Sequence, residues 1–343
     1  MITPITTRIS ALAFYRNYLI RVTTLMGYRS VCSSNTKYPD VSGFMALIHS
    51  IVDWMYTGSN RAIRYTRSNA RKVALIRGNM EEAKSAVDVS SIRQAQERIS
   101  GFALPTPLIS SRYLGHLLGS PVYLKVEALQ RTGSFKVRGA ANKLTLLSEE
   151  ERRRGVIAAS AGNHGQGVAV VADRMGVSCT VVMPKGASVA KVQATRGYHA
   201  QVILHEEPLS YARSLAKERG LSFIHPFDDP AVVAGQGTIG LELVEKLPYV
   251  EQVIVPVGGG GLAAGIAVVV KSLRPRTRIV GVQAAAAPAI AKSFKDGRPQ
   301  VIPPRPTIAD GVAVAAPGEV TFPLLCRYLD DIVVVGEDVI AQA

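Results

Sequence analysis

Only three cysteines occur in the 343 residues, Cys32, Cys179 and Cys326. They are scattered, odd in number and never spaced CxxC. That excludes a disulfide framework and a zinc ribbon, and suits a reducing compartment. There is one tryptophan, Trp54, and only 6% of residues are aromatic. No basic stripe interleaved with stacking rings is found, and no RNA- or DNA-binding motif. Long apolar runs are missing too. The run 41-VSGFMALIHSIVDWMY-56 is too short for a bilayer and contains His49 and Asp53. Arg8 and Arg16 break any signal-peptide core. Together these absences predict a cytoplasmic protein with neither nucleic acid nor membrane as a partner.

What is present is apolar material, 47% hydrophobic against 19% charged, enough for a large core in one big domain or two lobes. The net charge of +14 is unevenly spread. Residues 1–80 hold 11 Lys/Arg and only Asp40 and Asp53, hence +9; the rest holds 29 basic and 24 acidic residues, hence +5. The first 80 residues also carry six of the twelve tyrosines and show little periodicity. Residues 1–79 are therefore expected to stand apart as a basic extension. They read as a targeting peptide, a partner-binding arm, or sequence upstream of a natural initiator at Met80, the last being preferred. Amphipathic helix patterning is expected over 81–101, closed by Gly101.

From there strands and helices alternate. Strands are predicted at 122–127, 155–160, 179–184, 201–205, 221–226, 252–257 and 278–283. Helices are predicted at 133–147, 167–175, 189–198, 209–220 and 262–273. Continuous rather than alternating β-branched runs mean strands buried on both faces, and the spacing means parallel sheets covered by helices.

Three glycine-rich segments each follow a predicted strand and open a helix, where ligands of open α/β sheets bind. In 131-RTGSFKVRGAAN-142, Lys136 lies near a helix start. Desolvated there, with Lys125 and Arg138 nearby in sequence, it has the makings of a nucleophilic amine of lowered pKa; taken alone it reads as a solvated lysine. In 159-ASAGNHGQGVA-169, the backbone N–H groups of Gly162, Asn163 and His164 suit a carboxylate, or else a plain capped turn. In 256-PVGGGGLAAGIA-267, four successive glycines suit close approach of a phosphate. The next strand ends in Gln283, not a ribose-binding acid, and no Walker lysine follows, which argues for a single-phosphate cup over a dinucleotide site. A Schiff-base lysine, a carboxylate loop and a phosphate cup are what a pyridoxal phosphate enzyme acting on an amino acid needs.

From about Thr106 onward the sequence also resembles the threonine/serine dehydratases among the tryptophan-synthase-β-like (fold type II) pyridoxal phosphate enzymes. The resemblance rests on TGSFKVRGA, SAGNHGQGVA, VVMPKGA, 228-DDPAVVAGQGTIGLE-242, VPVGGGGLAAGIA, 307-TIADGVAV-314 and 329-LDDIVVV-335. It implies a two-lobed α/β fold of parallel sheets, with 80–156 and 236–343 as the large lobe and 157–235 as the small one. It implies pyridoxal 5'-phosphate as cofactor, with Lys136 as Schiff-base lysine and base for the Cα proton. Phe135 would lie beside the ring, Asn163 on its 3′-oxygen, and Gly311 along it. Gly258, Gly259, Gly260, Gly261 and Leu262 would wrap the phosphate. Ser160, grouped with Lys136 as catalytic, would join Gly162, Asn163 and His164 in receiving the substrate carboxylate. The implied reaction is β-elimination of L-threonine to 2-oxobutanoate and ammonia, and of L-serine to pyruvate, in a homo-oligomer.

Two departures qualify the resemblance. Ala161 stands where serine racemases carry an acid/base serine, so racemisation is expected to be weak, and no metal is expected because Gln283 and Ala289 replace acids. The family also runs on past 336-GEDVIAQA-343 into a segment whose hydroxyl or thiol meets the pyridine nitrogen. The resemblance thus implies a C-terminally incomplete large lobe. The alternatives kept are a truncated, non-catalytic relic and a serine racemase-like activity.

Overall fold

The computed structural model describes residues 87–343 together with two short upstream strands. Its elements in chain order begin with β1 (Val22–Leu25), β2 (Ala62–Thr66), α1 (Val89–Ile99), β3 (Leu108–Ser110), α2 (Arg112–Leu118) and β4 (Tyr123–Val126). They continue with α3 (Lys136–Thr145), α4 (Glu149–Arg154), β5 (Val156–Ala159), α5 (Asn163–Met175), β6 (Cys179–Pro184), α6 (Val189–Arg196), β7 (Gln201–His205), α7 (Pro208–Arg219) and β8 (Ser222–Phe223). The remainder is α8 (Pro230–Lys246), β9 (Gln252–Pro256), α9 (Gly261–Leu273), β10 (Arg278–Ala284), α10 (Ala289–Asp296), α11 (Thr321–Tyr328), β11 (Asp331–Val335) and α12 (Glu337–Gln342).

The strands form two sheets. The larger has the order β2-β11-β10-β9-β1-β4-β3 and the smaller β7-β6-β5-β8. The small sheet is parallel throughout. The large one is parallel except at its two rims, where β3 and β2 run antiparallel. Every residue of β9 and of β11 is buried, as a helix-covered parallel sheet requires. The two upstream strands fall within residues 1–79, where no strand was expected; β1 pairs with β4 and β9, and β2 with β11. The run 41–56 lies outside the described residues.

Local signals set the helix ends. Asp88 and Ser91 form a reciprocal capping box on α1, with Ser91 N donating to Asp88 at 2.7 Å and Asp88 N to Ser91 at 2.9 Å. That helix stops at Ile99 with Ser100 in ordinary helical geometry, so Gly101 is not the left-handed cap expected. Asp229 accepts from Ala231 N and Val232 N, and Pro230 fills the first turn of α8.

Helix α8 is the hub. It is buried along almost its whole length between α1, α3 and α9. A Cβ on Gly235 would sit 2.5 Å from Arg138 O and 2.6 Å from Gly139 Cα. One on Gly265 would sit 2.5 Å from Val233 O and 2.6 Å from Gly237 N. Glycine at these crossings lets α3 and α9 close on α8 backbone to backbone. The two helices that open at Lys136 and Gly261 are thereby fixed relative to each other.

Candidate active site

Helix α3 starts on Lys136 itself, three residues later than expected, because Gly133 takes a left-handed φ of +69° and closes a turn ahead of it. Lys136 is half-buried. Its Nζ donates to Pro226 O at 2.7 Å and lies 5.2 Å from the centre of the Phe135 ring. Burial alone pushes the amine down to about 8. Lys125 and Arg138, expected from sequence to help, do not act on it. Lys125 is paired with Glu242, and Arg138 with Glu127 and Glu242. Gly167 of α5 lies against the start of α3; a Cβ there would be 3.1 Å from Lys136 C and Val137 N.

The second glycine segment turns from β5 into α5. That helix begins at Asn163, a turn earlier than expected, and carries no side-chain cap at Gly162. Its first N–H groups therefore have no intrahelical acceptor. Ser160 Oγ accepts from Gly162 N at 3.1 Å. His164 Nε2 lies 2.8 Å from Ile224 O. A carbonyl only accepts, so Nε2 carries the proton and Nδ1 is a bare acceptor. Burial first, and then the charges of Lys136 and His225, push His164 down to about 3 against the pull of the Ile224 bond. It is a neutral imidazole at any ordinary pH.

The third segment links β9 to α9. Gly260, at φ +97°, takes the N-cap position without a side-chain cap. The sequence reading gave all four glycines to a phosphate. The structure gives much of their bareness to the protein's own packing. A Cβ on Gly259 would run into the Phe227 ring, one on Gly260 would lie 2.7 Å from Leu325 Cδ1, and one on Gly261 2.9 Å from Phe227 O. Gly258 would meet Val312 Cα at 3.1 Å, which brings the Asp310–Val312 turn alongside. Gly311 in that turn faces open space. Leu262 turns its side chain into the core.

Sequence reasoning missed the segment 224-IHPFDD-229. It read 221–226 as a strand, but only Ser222–Phe223 pair, and the rest is a loop touching all three glycine segments. Ile224 O holds His164, Pro226 O holds Lys136, and Phe227 covers Gly259 and Gly261. His225 Nδ1 accepts from Phe227 N at 3.3 Å and Asp228 N at 2.8 Å, so its proton too sits on Nε2. Burial lowers its pKa. The readable signal was Asp229-Pro230, a helix start that forces a loop before it.

Among the described residues, no cluster of three or more His, Cys, Asp or Glu is placed to hold a metal ion, and no helix is long and apolar enough to cross a membrane. An amine without an acid partner and two uncapped helix starts suit an aldehyde that also bears an anionic group.

The comparisons agree with that chemistry. Residues 99–343 match the family model described as pyridoxal-phosphate dependent enzyme. The L-threonine ammonia-lyase of Thermotoga maritima is 48% identical over 75% of this chain and 65% of its own length. The chain thus spans about two thirds of that relative. The processed form of threonine deaminase isoform 2 from Solanum lycopersicum superposes with a TM-score of 0.68 at 39% identity, covering 73% of this chain and 75% of that one. Maize serine racemase superposes with a TM-score of 0.73 at 34% identity, covering 75% and 79%. With this match over most of its length, and with a lysine, an asparagine loop and a glycine loop brought together at the strand ends, the chain belongs to the pyridoxal-phosphate dependent enzymes, in the two-lobed fold of the threonine deaminases.

Proposed function

We propose that this chain carries the site of an ammonia-lyase for β-hydroxy amino acids, converting L-threonine to 2-oxobutanoate and ammonia, and L-serine to pyruvate and ammonia. The observation that carries this reading is Lys136: a half-buried amine, pushed down to about 8, in the first turn of α3 and facing a carbonyl instead of an acid. Relatives named for threonine deamination support it.

When bound, pyridoxal phosphate supplies an electron sink for negative charge at the substrate Cα. Lys136 Nζ would hold the cofactor, and once released would take the Cα proton; an amine near 8 is neutral often enough at physiological pH to act as that base. Phe135 would flank the ring, with Asn163 on its hydroxyl and Gly311 along it. Ser160 and the backbone N–H groups of Gly162, Asn163 and His164 would receive the substrate carboxylate at the α5 start. His164, neutral, donates through Nε2 to Ile224 O and so holds the loop shut without adding charge. Gly258 to Leu262 would present backbone N–H groups to the phosphate. The β-hydroxyl leaves as water with the Cα hydrogen, and one water is taken up again as ammonia departs, so the balance is threonine to 2-oxobutanoate plus ammonia.

Ala161 offers no proton to the opposite face, which weighs against the racemase reading despite the structural likeness to maize serine racemase. A cytoplasmic location and a homo-oligomer belong to the same proposal, to be checked by cell fractionation and light scattering.

The test is a visible absorption spectrum of the purified chain with pyridoxal phosphate, before and after L-threonine, with Lys136→Ala alongside. A band that requires Lys136 and changes with threonine as 2-oxobutanoate appears supports the proposal. A Lys136-dependent band without product would reduce the chain to a cofactor-binding relic. The absence of any band would end the reading.

A further inference from the structure

The glycine loop has no side chain of its own to hold it, so something else must fix its conformation. One side-chain bond that does so comes from α11. Thr321, fully buried at the start of that helix, donates through Oγ1 to Gly259 O at 2.8 Å and accepts from Gly318 N at 3.1 Å. Across a planar trans peptide, C=O and the following N–H point in opposite directions. Pinning Gly259 O towards Thr321 therefore turns the N–H of Gly260 the other way, out of the α11 contact. Gly260 can take the required φ of +97° only because it lacks a Cβ, which would lie 3.3 Å from this same hydroxyl.

Thr321 is in turn held by Asp228. The Asp228 carboxylate accepts from Glu319 N at 2.9 Å, Val320 N at 2.8 Å and Thr321 N at 3.2 Å. The turn wraps it so closely that a Cβ on Gly318 would collide with the carboxylate. Asp228 belongs to the loop whose Pro226 O receives Lys136, and its own N–H is bonded to His225. One connected set of bonds thus runs from the amine, through the 224–229 loop and Asp228, to Thr321 and Gly259.

We propose that Thr321 and Asp228 are positioning residues for phosphate recognition: they orient the Gly259–Gly260 peptide so that its N–H faces the phosphate, and they set the distance between that peptide and Lys136. The inference rests on the cofactor reading given above and goes beyond it by naming what shapes the cup. It makes a selective claim. Losing the Thr321 hydroxyl should weaken recognition of the phosphate and leave recognition of the aldehyde and ring intact.

The experiment titrates the cofactor-free full chain with pyridoxal phosphate and, separately, with pyridoxal, following the Lys136-dependent band. Wild type should favour the phosphorylated form strongly. Thr321→Val keeps the branched shape and removes the hydroxyl; it should cut that preference by roughly tenfold, the weight of one orienting hydrogen bond, with pyridoxal affinity unchanged. Thr321→Ser should restore the preference. If Thr321→Val does not fold, Asp228→Asn reads the same relay from its outer end and should also lower the preference. Equal weakening of both ligands, or none of either, would overturn the proposal. A wild type with no preference would instead overturn the cofactor reading beneath it.

Discussion

Two residues on from Lys136, Arg138 belongs to a largely buried quartet of charges whose removal can be reckoned from the structure. Arg138 and Lys125 are 1% exposed and Glu127 is 0%. Arg138 donates to Glu127 at 2.9 and 2.8 Å, to Glu242 at 2.5 Å, to Thr238 at 3.1 Å and to Leu104 O at 3.2 Å. Lys125 donates to Glu242 at 2.5 Å and to Thr106 O at 2.6 Å. Two cations thus face two carboxylates. Arg138→Met removes one cation and strands a carboxylate in the interior, a change worth about 3–5 kcal/mol. Against an ordinary domain stability of about 5–15 kcal/mol, that is between about a fifth and the whole of it. Replacing all four with Lys125→Met, Glu127→Leu, Arg138→Met and Glu242→Leu should instead lie between about neutral and a few kcal/mol stabilising, because no charge is left alone. Urea unfolding of the three proteins, with midpoint and slope both fitted, measures the difference. A pH series adds a second reading. Burial pushes the Glu242 carboxyl up, but Arg138 and Lys125 outweigh it and hold the group below its usual value of 4.5. Its contribution is therefore present above 4.5 and is lost as pH falls through the lower folded value. Arg138→Met should blunt that acid-side loss. A cost below about 1 kcal/mol for the single change would mean a hydrated, weakly coupled cluster and would refute the reasoning.

Four further outcomes follow from the same geometry. In the cofactor-free chain, pH-dependent acetylation of Lys136, read by mass spectrometry, should show a midpoint near 8, where exposed lysines titrate near about 10.4; a midpoint at the exposed value would contradict its desolvation. The imidazole of His164 should stay neutral with Nε2 protonated from pH 5 to 8 in nitrogen NMR, and titration within that range would show the Ile224 bond misread. Gly260→Ala, strained by its φ of +97° and by Leu325, should lose cofactor binding and about 1–3 kcal/mol of stability, whereas Gly311→Ala, facing open space, should fold as wild type; equal melting temperatures would refute the contrast. Gly265→Ala, which drives a methyl into Val233 O, should cost about 1–3 kcal/mol or more, whereas Gly101→Ala should cost almost nothing, as thermal unfolding would show.

Much of the fold was legible because its cause is hydrophobic periodicity. The run QVIVP reads as a strand buried on both faces, and it is, whereas DIVVV, equally buried, enters only as part of the family resemblance. Lys136, Asn163 and the glycine run were legible because each follows a predicted strand, although the one before Lys136 is only partly buried. Helix α8 was harder. Gly235, Gly237 and Gly240 look like breakers in isolation, and their purpose appears only where α3 and α9 press against them. The quartet was harder still, because Lys125, Glu127 and Arg138 carry the same letters as a solvated surface, and burial is decided by partners up to 117 residues away. The 224–229 loop was least legible. It acts largely through the carbonyls of Ile224 and Pro226, and a backbone oxygen has no letter of its own.

These features share one electrostatic logic. The three nitrogen bases of the site, Lys136, His164 and His225, are all pushed towards their neutral forms, with burial the largest cause in each. A single free carboxylate among them would undo this by stabilising an ammonium or imidazolium. Asp228 and Asp229 pull the other way on His225, but burial outweighs them, and the carboxylates of the quartet are engaged elsewhere. Glu127 and Glu242 are held by Lys125 and Arg138, and Asp228 accepts three backbone N–H groups of the α11 turn. The positive character that remains comes from backbone dipoles at the uncapped starts of α5 and α9, which cannot be titrated away. Such a site offers two points for anions and an amine whose neutral form is far more accessible than that of an exposed lysine. Nucleophilic attack on an aldehyde and later removal of a proton both need that combination. Burial alone lowers the Lys136 amine, and the bonds of Asp228 to the α11 turn serve the site by placement, not by charge.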